Sequence, residues 1–338
     1  MIHQKITRSV LAALAAGGLL WLWMTAEAKG GTDAPKSGLE EVLSLGGLSD
    51  NRLLMWVGLA VDPAGNMIVT DALDYSIKIF NSRGRLVRRV GREGGGQADF
   101  QALRDVGLSK SAVYVTDQND PRIFVFNTQL EFQRALPLSR AISYLRVLPD
   151  DTLAAACLSL KKGERALIWL ADGQGRTLQE IPYGTDLDNP ASDRASFAFL
   201  GQDLILAYNF KDRVERLDRK GRRLWTKSLF HLKDVPMRSL LGVKLPQKFI
   251  YKDVAVDSAG RSYILGGGLA GNPSRDVYVL SPEGHLLATL TLPEKSHCLV
   301  IDGQDFLYSR ADEGLTIKKF RVHLPWDGRP SKPKGPRP

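Results

Sequence analysis

The sequence predicts an all-β fold, a six-bladed propeller of four-stranded antiparallel blades, closed by an N-terminal strand in the last blade. Three observations carry this: a turn repeated at a nearly fixed step, a first unit that reads as four short strands, and a last unit one strand short. The turn appears at Asn81-Ser82-Arg83-Gly84, Asn127-Thr128-Gln129-Leu130, Asp172-Gly173-Gln174-Gly175, Asp218-Arg219-Lys220-Gly221 and Ser281-Pro282-Glu283-Gly284. The steps are 46, 45, 46 and 63 residues, and a sixth copy falls near Trp326-Asp327-Gly328. Strand-rich self-similarity at this period is the signature of a propeller.

The first unit shows the parts. Val57–Val61 is an apolar strand, and Asp62-Pro63-Ala64-Gly65 carries type I turn residues. Met67–Thr70 is a second strand, Ile77–Phe80 a third and Leu86–Val90 a fourth. No crossover helix fits between them, so the unit is an antiparallel meander. Later units repeat it with decay. Val69-Thr70-Asp71 returns as Val115-Thr116-Asp117, and Ala60–Gly65 returns as Ala255–Gly260. Inner strands are expected to begin near 57, 106, 144, 197, 253 and 297. The sixth unit offers only His297–Ile301, Phe306–Ser309 and Thr316–Val322 before a tail with four prolines, which cannot add a ladder strand. Glu41–Gly46 aligns with Leu86–Gly91 and is assigned as the missing strand. That closure removes an exposed edge.

On these pieces the chain resembles the NHL-repeat family of six-bladed propellers over roughly residues 40–325. The matching segments are Gly58–Asp62, Ile68–Asp71, Ile77–Phe80 and the run from Gly91 through Gly94-Gly95-Gly96 to Phe100. Units one and two match best. The resemblance implies either a binding scaffold or an enzyme. Related propellers include an amidating lyase with a histidine-bound metal and calcium lactonases with a carboxylate ring, but neither ligand set maps onto this sequence.

Residues 1–28 read as a signal peptide rather than part of the fold. Lys5 and Arg8 precede the apolar run Val10–Met24, and Ala26-Glu27-Ala28 is an A-x-A cleavage pattern. As a helix the run spans ~22 Å, short of a ~30 Å bilayer core. The alternative is an uncleaved anchor that tethers the same propeller outside the cytoplasm. Residues 29–38 are a linker, 39–328 the propeller and 329–338 a basic, proline-rich disordered tail. The expected location is the periplasm or the outside of the cell. The formal charge is +9, yet the leader carries one unit of it and the tail four, so the propeller body is only mildly basic. An export signal argues against a nucleic-acid partner, while contact with an anionic envelope surface fits the charge. Cys157 and Cys298 fall in opposite blades, too far apart for a disulfide, and are expected as free thiols.

No covalent chemistry is identified. Gly91–Gly96 leads into a strand, not the helix that a phosphate cradle needs. The four histidines after the leader, His231, His285, His297 and His323, scatter over blades four to six, and only His297 falls where the channel opens. Asp105 and Asp253 lie near inner-strand starts and do not by themselves make a calcium cage. Asp71 and Asp117 end equivalent strands and read as side chains capping their own turns. No cofactor and no metal are assigned. The irregular sequence is concentrated on one face, in the connectors Pro182–Ser196, Phe230–Tyr251 and Gly266–Asp276. Long loops on a rigid scaffold are where binding usually lives. Around that face the expected contact residues are Trp56, Arg104, Tyr144 and Tyr251 at inner-strand starts, with Arg122, Asn209, Arg275 and Arg310 on middle loops. Aromatics with arginines suit a protein, peptide, carbohydrate or acidic ligand. The expectation is a monomeric, exported binding scaffold. The alternative is a propeller hydrolase or lyase with a metal-assisted site at the channel mouth.

Overall fold

The computed structural model describes residues 38–325, apart from 141, 158–161, 233–234, 241–242, 269–273 and 312–313. The leader, the linker before Gly38, the turn copy at 326–328 and the tail lie outside the described residues. The first strand, β1, is Gly38–Gly46. Blade one is β2 (Trp56–Val61), β3 (Met67–Asp71), β4 (Ser76–Phe80) and β5 (Leu86–Val90). Blade two is β6 (Leu103–Leu108), β7 (Ala112–Asp117), β8 (Arg122–Asn127) and β9 (Phe132–Pro137). Blade three is β10 (Ile142–Val147), β11 (Leu153–Cys157), β12 (Leu167–Ala171) and β13 (Thr177–Pro182). Blade four is β14 (Ala195–Leu200), β15 (Asp203–Tyr208), β16 (Val214–Leu217) and β17 (Arg223–Lys227).

A two-stranded hairpin, β18 (Met237–Leu240) with β19 (Val243–Pro246), then fills the long insertion that widened the last repeat step. Blade five is β20 (Tyr251–Val256), β21 (Ser262–Gly266), β22 (Asp276–Leu280) and β23 (Leu286–Thr291). Blade six is β24 (Leu299–Ile301), β25 (Phe306–Ala311) and β26 (Thr316–His323), with β1 as its outer strand. The β1–β26 register runs antiparallel from Gly38 opposite His323 to Gly46 opposite Thr316. Every inner strand begins within three residues of its sequence-based position.

The core is not one mass but six, each between consecutive blades. Tyr114, Val125 and Leu136 of blade two meet Leu153 and Ala155 of blade three. Ala154 and Ala156 of the same strand face Phe197 and Leu206 of blade four. Because β11 is buried on both faces, it reads as a continuous apolar run rather than an alternating one. The sixth interface joins the ends of the chain: Leu45 of β1 packs with Trp56, Met67, Phe80, Tyr308 and Ile317. Burial at this seam, with the β1 hydrogen bonds, holds the last blade to the first. Both cysteines are free, Cys157 buried in blade three and Cys298 partly exposed at the start of blade six.

The turn face is built by repetition. The Oδ1 of Asp172 accepts from the N–H of Gln174 and Arg176, both at 2.9 Å. Asn81, Asn127 and Asp218 do the same two and four residues ahead. The fourth turn residue needs the left-handed region, with φ of 76° at Gly84, 80° at Gly175 and 79° at Gly221. Leu130 adopts it at 58° and is buried, where packing offsets the conformational cost.

Candidate binding site at the channel mouth

All six inner strands start at the connector face, so their first residues ring one end of the central channel. The pairing of four inner strands with their neighbours slips there, between Trp56 and Gly58, Leu103 and Val106, Ile142 and Tyr144, and Tyr251 and Asp253. A bulge re-aims the side chain it leaves unpaired. Val57, Arg104, Asp105 and Ser143, released in this way, line the upper channel. Lys252, released by the fourth, reaches the Ser296 carbonyl at 3.1 Å and His297 Nδ1 at 3.1 Å.

Arg146 divides the channel. Above it is a space of about 150 Å³, whose lining includes Arg104, Tyr144, His297, Cys298 and Arg310. Below it a chamber of about 270 Å³ is lined by Arg146 and by apolar residues such as Val61, Leu108, Phe199 and Ile301. The Arg146 guanidinium lies 3.4 Å from Asp105 Oδ2 and 3.4 Å from Asp253 Oδ1. These two aspartates do the same job in different blades. Asp105 accepts the Leu145 N–H of the next inner strand at 2.9 Å, and Asp253 accepts the Leu299 N–H of its next inner strand at 3.0 Å. Burial pushes the Asp253 carboxyl up to about 6, against the pull of Arg146. Burial opposes the Arg146 charge, and Asp253 and Asp105 more than offset it, so its pKa is raised.

Among the described residues the balance around the mouth is positive. Burial, then the charges of Arg310 and Lys295, lowers Lys252 to about 8. Burial, then Lys252 and Arg310, lowers His297 to about 4, so the imidazole is neutral at pH 7. Burial and then the charge of Arg194 lower the pKa of Arg104. A cleft of about 710 Å³ opens beside the mouth and shares Arg104 and Ser143 with it.

The sequence-expected residues divide into three groups. Arg104, Tyr144 and Arg310 come together at the upper channel. Asn209 stands behind Tyr144, buried, donating to the Tyr251 carbonyl at 3.1 Å. Trp56 and Tyr251 are not at the surface, and their expected place as mouth contacts is corrected: both are 0% exposed. Trp56 Nε1 donates to the Thr316 carbonyl at 2.9 Å, while the Tyr251 hydroxyl donates to Asp212 and its ring stacks on Phe230. An aromatic at a strand start turns into the blade interface whenever the bulge gives the channel position to its neighbour. Arg122 pairs with Asp120 over the Phe124 ring, and Arg275 donates to the Leu292 carbonyl. Both hold their own loops. The residues that sequence reasoning did not select are Arg146, Arg194 and Lys252. Their only signal is position, since each lies within two residues of Tyr144, Ser196 or Tyr251 at an inner-strand start.

The donor set does not fit a cation. Among the described residues no three His, Cys, Asp or Glu side chains converge. The two channel carboxylates face Arg146 and backbone N–H groups, and the neighbouring charges are basic. Asp71 and Asp117 are also committed. Asp71 accepts from Leu54 and Met55 N–H and pairs with the buried Lys78 at 2.8 Å. Asp117 accepts from Gln101, Ala102 and Asn119 N–H.

No protein-family model matches the chain, and no curated protein matches its sequence. Solved structures do resemble it in shape. A member of the DUF4221 family from Bacteroides vulgatus superposes with a TM-score of 0.61 at 14% identity, over 86% of this chain and 99% of that one. The WD40 repeats of RRP9 give 0.57 at 12% identity, over 86% and 99%. Virginiamycin B lyase from Staphylococcus aureus gives 0.56 at 11% identity, over 84% and 99%. At these identities the likeness shows the fold alone: this chain is a six-bladed β-propeller.

Proposed function

We propose that this chain is an exported, NHL-like binding scaffold whose connector face holds an acidic protein, peptide or carbohydrate ligand. One observation carries the reading. The channel mouth gathers Arg104, Lys252 and Arg310, while its only two carboxylates among the described lining residues already hold Arg146 and the neighbouring strands. Clefts lined by one sign of charge concentrate ligands of the other. The leader of residues 1–28 supports the location.

The test has two parts. The protein recovered from its native host should begin at Lys29, read by intact mass; a chain that still starts at Met1 in the membrane fraction replaces secretion by anchoring. In a binding screen of acidic against neutral peptides and oligosaccharides, retention should follow acidity and fall with Lys252→Gln and Arg310→Gln. Retention that ignores both substitutions but is lost with Arg88→Ala and Arg89→Ala moves the working surface to the blade edge and ends this reading. An enzyme remains the second reading, on the observation that the Lys252 amine and a neutral His297 lie 3.1 Å apart at the mouth. Turnover of a bound acid that His297→Asn abolishes, with binding retained, would establish it.

A further inference from the structure

We propose that Arg104 and Arg194 form an oxyanion subsite in the side cleft, the seat for a carboxylate, sulfate or phosphate group of the ligand. This deepens the reading of the mouth as a binding face for acids and rests on it. Both arginines line the 710 Å³ cleft, on the lips of blades two and four. That volume suits a small organic ligand or one sugar-sized unit of a larger one.

The cleft leaves positive charge without a partner among the described residues. Three other charged groups reach the cleft wall, and each is committed. Arg140 pairs with Glu180 at 2.5 Å. Asp120 pairs with Arg122 at 2.5 Å. Asp117 accepts three backbone N–H groups at 2.7–2.8 Å. The guanidinium groups of Arg104 and Arg194, by contrast, have no carboxylate partner and no hydrogen-bond acceptor among the described residues. Arg194 is held only by aromatic faces, 5.6 Å from the Tyr144 ring centre and 5.8 Å from that of Phe249. Its Nε is buried with no partner. A buried donor without an acceptor costs free energy, and so do two like charges in a partly desolvated cleft. The repulsion is felt at Arg104, whose pKa Arg194 helps to lower.

A planar or tetrahedral oxyanion relieves both costs at once. It neutralises the pair and accepts the unmade hydrogen bonds, in the bidentate geometry that guanidinium groups favour. Pro121, Leu138 and Ile142 line the same cleft and give the uncharged body of the ligand an apolar wall.

The experiment is calorimetric titration of the full chain at pH 7 and low salt with sodium sulfate, sodium phosphate and galacturonate, with galactose as the neutral control. At least one acid should bind and galactose should not; the preferred acid distinguishes a sulfated or phosphorylated source from a uronic acid. Arg104→Gln and Arg194→Gln should each weaken that acid about tenfold or more, and Arg104→Lys by less, because a lysine keeps the charge but not the fork. The ligand-free melting temperature of Arg104→Gln should hold or rise, since the change removes a repulsion, whereas a purely structural arginine would lower it. Acid binding that survives both Arg→Gln changes but is lost in Lys252→Gln overturns the subsite and leaves the mouth reading standing. A wild-type chain that binds none of the three acids overturns both.

Discussion

The turn face and the connector face of this propeller use the same side chains for opposite ends. On the turn face an Asp or Asn accepts the N–H groups two and four residues ahead, as Asp62, Asp172 and Asp218 do. All the partners lie within one turn, so the device can be copied from blade to blade. On the connector face a carboxylate reaches across the chain. Asp71 accepts from Leu54 and Met55, Asp193 from Thr185 and Asp186, and Asp212 from Leu229. Its partners are backbone N–H groups of the irregular connectors, 7 to 17 residues away in these cases, so each connector needs its own solution. Lys78 in blade one and Lys211 in blade four complete two of these clusters differently. Local chemistry repeats, and chemistry between distant segments diverges. The diverging face is the one with room for a ligand.

Five perturbations break or sharpen this contrast, from the largest expected effect downward. Deleting Leu39–Gly46 should abolish cooperative unfolding, because it strips the outer strand from β26 and removes Leu45 from the closing seam. Deleting Ser331–Pro338 should leave the thermal melt unchanged, and equal damage from the two deletions would contradict closure by β1. Next comes Asp71→Ala. Lys78 is 2% exposed beside it, and stranding a buried charge costs about 3–5 kcal/mol. Urea unfolding should show that loss, and a change below about 1 kcal/mol would mean that Asp74, 2.8 Å from the same Nζ, suffices alone.

On the turn face, Gly221→Ala should cost about 1–2 kcal/mol, since φ is 79°. It should leave ligand affinity untouched; a loss of binding there would erase the distinction between the faces.

The fourth test is pH. Affinity for an acid should be full below about 8 and fall as Lys252 loses its proton above it. The ligand-free protein should move the other way. The Lys252 pKa is lower folded than unfolded, so the unfolded chain holds more protons above pH 8 and this group adds stability as pH rises toward its ordinary value. His297 is also lowered, to about 4, so its contribution is present above its ordinary value near 6.5 and lost as pH falls toward 4. Asp253, raised to about 6, acts oppositely, and its contribution is lost as pH rises through 6. Melting temperature against pH in Lys252→Gln and wild type isolates the first of these. The smallest effect belongs to Arg88→Ala with Arg89→Ala on the outer strand. That pair should alter salt dependence and little else.

The repeat was legible because it is local. Gly84, Gly175 and Gly221 stand where φ must be positive, and the period of those turns fixed the blade count and the strand order. Even the decayed copy at Leu130 was readable as a turn, although its buried side chain is not what a turn position suggests. The mouth was only partly legible. Arg104, Tyr144 and Arg310 were found because they sit at recognisable points of the repeat. Trp56 and Tyr251 were placed one residue wrong in direction, since a bulge turned Val57 and Lys252 to the channel and sent the aromatics into the blade interfaces. A period-two strand reads inward or outward by parity, and one extra residue reverses it.

The sequence by itself therefore determined the architecture: six antiparallel meanders, their turns, the short last unit and a face of irregular connectors. Each follows from backbone preferences and apolar patterning within about fifty residues. Only the tertiary structure decided which side chains meet in the channel. Arg104, Arg146, Lys252 and Arg310 come from four different blades, and Arg194 and His297 from connectors between blades. Their proximity depends on how the ring closes and where each inner strand bulges. Their burial and their mutual electrostatics exist only once the blades have packed around the channel.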